Sequence, residues 1–533
     1  QKGRISVQKT GDIFTSVNMA SSAYTDENGE LVVNSTTYTP VFADGDLSGA
    51  VFQVIAVEDI VTLDGTTRAY AGDVVSEITT DENGYAETEP LYLGKYEVRE
   101  IKAPYGYVLN NEPKDVELTY AGQEFEVRDT VNTAFENEYQ SVRISLSKVM
   151  ESDELFGIYG KDCYTSIRFG LFAAEDITAA DGSAIPADGL LSEVSLDEDM
   201  TAKFDVQIPF GRYYVKEIST DEHYVLNGEK YLVNFEYMGQ EVTTVSIDCG
   251  QFVNELKRGK IEGIKVNESN EPLENAVFGL FTADCVKFSR DTAIMTAASD
   301  ENGCFEFTDV PFGKYIVREI ESPRGYILSD KEYAVSIAED GEVIEITAEN
   351  KPITVEISKR DVYGNELVGA EMVLENADGE TVDKWTSDGK NHIVSKLGTG
   401  EYVLKEIAAP DGYIIATDIK FNVDVYGNVT VENVDSKAVL DNGDPLIAMV
   451  DDTTKVRISK RDITTGEELP GATLQIIDED GNVVEEWVST DEAHFIEGKL
   501  IAGKEYTLRE TIAPDGYEIA SEIKFTVNTD GSV

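Results

Sequence analysis

The sequence predicts an all-β chain, a tandem array of five small antiparallel β-sandwiches, on three observations. A Tyr stands four residues ahead of a Glu five times: Tyr96/Glu100, Tyr213/Glu217, Tyr315/Glu319, Tyr402/Glu406 and Tyr506/Glu510. Four of the five continue into Pro-x-Gly-Tyr, as in YEVREIKAPYGY and YVLKEIAAPDGY, and self-similarity at domain-sized intervals marks a repeat architecture. Short runs such as VRISKRD, EYTLRE and IKFTVN alternate apolar and polar residues, the period of a half-buried strand. Between them, Asp-Glu-Asn-Gly at 26–29, 81–84 and 300–303 and Asp-Glu-Asp-Gly at 478–481 supply the left-handed positions that tight turns need.

Each element follows from these signals. No segment holds a helical period, and the repeats break where one closing strand runs into the next opening strand. The repeats are 1–139, 140–257, 258–351, 352–453 and 454–533. The first carries an insertion at 24–46, rich in Tyr and Thr. The joints are short and poor in Gly and Ser, which predicts a stiff array.

Composition narrows the function. A hydrophobic fraction of 41% in 533 residues supports several independent cores. The 102 acidic and 44 basic residues leave a net charge of −58, a field that repels nucleic acid and anionic membranes. No apolar run approaches membrane-spanning length. Gln1 opens the chain without a signal peptide and Val533 closes it without a wall-sorting tail, so the chain reads as a piece of a longer protein.

The remaining polar signals are weaker. Cys163 and Cys249 fall in the second repeat, Cys285 and Cys304 in the third; paired disulfides and buried thiols are both compatible with that usage. The segment Cys249-Gly250-Gln251 does not establish a thioester. The acidic turns lack calcium-ligand spacing, and no His/Cys cluster supplies a metal site. No cofactor is expected. Trp385/His392 and Trp487/His494 share a seven-residue spacing, which core residues common to two sister repeats explain.

The ends of the repeats carry the chemistry. Each opens on a strand bearing a Lys: Lys9, Lys148, Lys265, Lys359 and Lys460. The first three close on a strand bearing Asn137, Asn254 or Asn350. In the fourth, Asn433 and Asp451 compete. Asp451 precedes Lys460 by nine residues, as Asn350 precedes Lys359, whereas Asn433 lies 27 residues before Lys460. Asp451 is preferred, with Asp452 left open. In the fifth repeat Val533 aligns with Val429, ahead of any closing strand, so Lys460 and Glu510 are expected to have no partner.

The Lys strand, the Tyr-x-x-x-Glu-x-x-x-Pro-x-Gly-Tyr box and the terminal Asn resemble the collagen-adhesin B-type and SpaA-type pilin modules of Gram-positive surface proteins. The resemblance covers essentially the whole chain. It implies a prealbumin-like or reversed immunoglobulin-like sandwich with an intramolecular isopeptide bond from first-strand Lys to last-strand Asn or Asp. The bonds so implied are Lys9–Asn137, Lys148–Asn254, Lys265–Asn350 and Lys359–Asp451, assisted by Glu100, Glu217, Glu319 and Glu406, with Glu510 in the equivalent place. The second repeat departs from the box, reading TDEHYVLN after its Glu, but keeps the 37-residue interval from Glu217 to Asn254.

These features predict a structural stalk of a bacterial surface adhesin or pilus, extracellular and wall-anchored through a sorting signal outside this sequence. Its reactive residues act once, on their own repeat, so no turnover enzyme is expected. The alternative is an adhesin that binds a host protein or glycan through the 24–46 insertion. Whether Tyr24, Tyr38 and Phe42 are exposed together discriminates the two.

Overall fold

The computed structural model describes residues 1–26, 28–123, 127–432, 437–439 and 443–533. Strands dominate; the described residues contain one short 3₁₀ turn, Gly160–Ser166, and no α-helix. The chain divides into two compact units, Gln1–Arg258 with Ala338–Asp340, and Gly259–Ile337 with Gly341–Val533.

Each of the first four sandwiches places an opening and a closing strand in one sheet and the box strand in the other. In the third repeat, Arg258–Asn267 lies between Cys304–Pro311 and Val343–Asn350. The facing sheet runs Met295–Ala298, Val277–Thr282, Gly313–Glu321, Glu332–Ile337. The fourth repeat follows the same plan, with Thr354–Asp361 between His392–Ser395 and Pro445–Asp451. In the fifth, Lys455–Ile458 pairs with His494–Glu497. Inward positions alternate along the strands, so Phe52, Tyr96, Val98 and Phe135 fill the first core and Phe169, Tyr213, Val215 and Phe252 the second.

One pairing in each of the first four repeats is parallel: opening strand against closing strand. Two strands joined through the whole repeat, rather than by a hairpin, can lie parallel. The box strands pair antiparallel with their neighbours in the facing sheet, and Leu190 pairs with Thr37 in parallel at a single residue.

The acidic turns serve the backbone. Asp81 Oδ1 accepts from the Asn83 and Tyr85 N–H groups, and Asp300 Oδ1 from those of Asn302 and Cys304. Gly84 and Gly303 take φ of 68° and 75°, the left-handed region that favours Gly.

The 24–46 segment is not a loose surface loop. Leu31–Asp46 pairs along the extended opening strand Lys2–Thr25. Phe42 packs its ring 5.7 Å from Phe14 and 5.2 Å from Tyr139. Tyr38, half-buried, packs against the core of the second repeat. The Tyr24 side chain lies outside the described residues.

Candidate crosslinking sites

The opening and closing strands bring each Lys to its expected partner by one rule of register. Lys9 faces Phe135 across the parallel pair, Lys148 faces Phe252, Lys265 faces Ala348 and Lys359 faces Met449. The partner sits two residues further on each time, at Asn137, Asn254, Asn350 and Asp451. Residues two apart share a face of the sheet, so Lys and partner both point into the core.

Contact is direct. Lys9 Nζ donates to Asn137 Oδ1 and Lys359 Nζ to Asp451 Oδ1. Lys148 Nζ and Lys265 Nζ each lie 2.5 Å from the Oδ1 of Asn254 and Asn350. The box Glu stands beside both: Lys Nζ lies 3.2 Å from Glu100, 2.9 Å from Glu217, 3.1 Å from Glu319 and 3.1 Å from Glu406. Asn137 Nδ2 donates to Glu100 Oε1 at 3.2 Å, and Asn254 and Asn350 make the same bond to Glu217 and Glu319. All four Lys, all four Glu and all four partners are buried. Lys460 and Glu510 also come together, at 3.2 Å. Asn433 lies outside the described residues, and Asp452 pairs instead with Lys455 at 2.8 Å.

Burial sets the electrostatics. Desolvation, opposed by Glu100, brings the Lys9 amine down to about 8, and its Nζ lies 5.8 Å from the ring centroids of Phe52 and Phe135. Desolvation likewise lowers Lys148 and Lys265 and raises Glu100 above the usual carboxylate range. Asp451 rises to about 7, chiefly by burial, with Lys359 opposing and Glu406 adding to the rise. Low dielectric thus favours the neutral amine and the protonated acid. In the fourth repeat Asp451 Oδ2 is buried without a hydrogen bond, while Glu406 Oε1 has Lys359 Nζ at 3.1 Å.

Several supports were not visible in side-chain identity. A backbone N–H ten residues after the Glu donates to its Oε2 in every repeat: Asn110, Asn227, Ser329, Ala416 and Ala520, at 2.6–2.9 Å. Only the constant interval could have signalled them. The Lys backbone is gripped on both sides, Lys9 N–H by the Gly84 carbonyl and Lys9 C=O by the Leu47 N–H. The box Tyr is an anchor: Tyr96, Tyr213, Tyr315 and Tyr402 donate O–H to the carbonyl four residues back. The second repeat adds Thr220 Oγ1, 2.8 Å from Asn254 Nδ2.

The weaker signals resolve as packing. Trp385 stacks on His392 at 4.0 Å and Trp487 on His494 at 4.3 Å. Cys249, Cys285 and Cys304 are free thiols, so neither disulfide forms within a repeat; Cys163 and Cys249 pack against the second core.

The family model of the SpaA prealbumin-like fold domain matches residues 41–132, 259–352, 353–437 and 454–533. These matches cover well over half of the chain, and the chain belongs to this family. A trypsin-resistant surface T6 protein of Streptococcus pyogenes is 26% identical over 157 residues, 30% of this chain and 25% of that protein. The chain therefore aligns with a quarter of that relative's length. Among solved structures, the TIE protein of Bacillus anthracis has a TM-score of 0.36 at 19% identity, covering 81% of this chain and 74% of that one. BcpA, the major pilin subunit of Bacillus cereus, has a TM-score of 0.29 at 16% identity, covering 66% and 100%. The family assignment rests on the repeat matches.

Proposed function

We propose that the chain is the extracellular structural stalk of a bacterial surface adhesin or pilus, divided into repeats 1–139, 140–257, 258–351, 352–453 and 454–533. Each of the first four is locked by an autocatalytic isopeptide bond. The observation that supports it is the recurrence, in four repeats, of a buried Lys–Glu–Asn/Asp contact between neighbouring parallel strands.

The chemistry follows from the atoms in contact. Neutral Lys9 Nζ attacks Cγ of Asn137, and proximity in the fold supplies most of the acceleration. Glu100 gives its proton to Nδ2 and takes one from Nζ, so the acid is regenerated. Ammonia leaves and a Lys–Asn amide remains. At Asp451 the same exchange expels water. The Glu turns over once per molecule, so the chain is not an enzyme acting on other molecules.

The mechanical consequence lies in the topology. Opening and closing strands are parallel neighbours, so tension on the two chain ends shears them past each other. A covalent tie from Lys9 to Asn137 takes that load and shields the 127 residues between them. Force spectroscopy tests this directly: each crosslinked repeat should extend only by its few residues outside the tie. Full-length unfolding steps from all repeats would refute it.

The rival reading, a ligand site on the 24–46 insertion, loses its platform, because Tyr38 and Phe42 are half-buried in packing.

A further inference from the structure

We propose that the Pro-x-Gly-Tyr turn is the docking element by which one repeat grips the next, a role separate from the crosslink that the same box assists. The turn itself is uniform. Tyr107, Tyr326, Tyr413 and Tyr517 N–H donate to the Pro carbonyl three residues back, at 3.0–3.2 Å. The Gly takes φ of 95°, 87°, 87° and 87° at Gly106, Gly325, Gly412 and Gly516, as the third position of a type II turn requires.

Three contacts then reach forward from the first three of these turns. The Gly carbonyl accepts from the residue three past the crosslink partner: Gln140 N–H to Gly106 at 3.0 Å, Ile353 to Gly325 at 2.9 Å and Thr454 to Gly412 at 2.8 Å. The N–H two past the turn Tyr donates into the following repeat, to the loop after Tyr231–Phe235, Ile419–Val423 or Ile523–Thr526. These bonds are Leu109 to Gln240 at 2.9 Å, Leu328 to Val425 at 2.8 Å and Ile415 to Thr529 at 3.3 Å. Finally, the bare face of the Gly abuts the following repeat. A Cβ at Gly106 would sit 3.0 Å from the Phe210 ring, and one at Gly325 would sit 2.7 Å from the Lys396 carbonyl oxygen. One at Gly412 would run into the Gly498 carbonyl oxygen.

Gly516 makes the same turn at the same φ as Gly325 and Gly412, yet among the described residues nothing lies within 4 Å of a Cβ built there. The left-handed conformation alone therefore explains a Gly at all four positions, but close approach is a second requirement only where a following repeat is docked. The second repeat shows what the turn can do without Gly. Tyr224 N–H bonds the Asp221 carbonyl at 3.1 Å, and Lys257 N–H still bonds the His223 carbonyl at 2.8 Å.

The test uses the full chain with three single substitutions, Gly325→Ala, Gly412→Ala and Gly516→Ala. Each pays a similar strain for Ala at positive φ, and intact mass reports whether the crosslinks are unchanged. Cleavage by trypsin after Lys396, which abuts Gly325, in Gly325→Ala, and after Lys455 in Gly412→Ala, is expected to be roughly tenfold faster than at the same sites in Gly516→Ala, since local opening exposes the joint. Small-angle scattering should show a broader distance distribution in the first two only. Equal cleavage and scattering in all three would overturn the proposal. Amide exchange in the unsubstituted chain decides the matter if a variant fails to fold. Leu109, Leu328 and Ile415 should exchange slowly and their counterpart Ile519 fast; equal rates at all four would also overturn it.

Discussion

Lys265 and Asn350 stand on adjacent parallel strands, offset by two residues, with Nζ and Oδ1 2.5 Å apart in a buried core. The same diagonal recurs at Lys9–Asn137, Lys148–Asn254 and Lys359–Asp451. A shift of one residue would turn the partner to the opposite face of its strand, so the register and the chemistry are specified together.

Glu319→Ala should stop the third crosslink and leave the other three. Intact mass should rise by one ammonia beyond the change expected for the substitution. Closing a loop of this size is worth about 4–5 kcal/mol in the chain-entropy account, so the third repeat should also unfold at lower denaturant.

Tyr315→Phe separates the two halves of the Tyr–Glu pair. It removes the O–H bond to the Pro311 carbonyl, at a cost of about 1–2 kcal/mol for the unsatisfied buried acceptor. Intact mass should show the crosslink deficit unchanged, and denaturant melts should show the lost stability.

Much of this was legible in the sequence, and particular residues show why. Asp451 could be preferred over Asn433 because its nine-residue lead on Lys460 repeats that of Asn350 on Lys359. Strand alternation revealed the sandwiches, since half-buried strands must alternate. The parallel pairing was not legible, because alternation is the same for either direction. The Asn110 and Ala416 clamps act through backbone N–H groups, which leave no mark in residue type. The docking of Tyr38 and Phe42 was missed because an aromatic in an insertion suits a ligand and a neighbouring repeat equally well.

Asp451→Asn should exchange the leaving group. The fourth crosslink should still form, with ammonia lost in place of water. Asp452→Ala, which removes the pair with Lys455 and the hydrogen bond from the Thr453 N–H, should leave the crosslink mass intact.

Asn137→Ala leaves Lys9 as an uncrosslinked amine whose folded pKa, about 8, lies below the 10.5 of a free lysine. Between those values the unfolded chain binds the proton that the folded chain has released. Stability of the first repeat should therefore rise with pH across that window, by at most about 1.4 kcal/mol per unit, and stay flat below it. The unsubstituted chain, with Lys9 acylated, should lack this rise; thermal melts across the window compare the two.

The most direct test is the intact mass of the purified chain under reducing conditions, with peptide mapping of the joined pairs. The account predicts a deficit of three ammonias and one water, mapping to Lys9–Asn137, Lys148–Asn254, Lys265–Asn350 and Lys359–Asp451. A mass equal to that of the uncrosslinked sequence would contradict it.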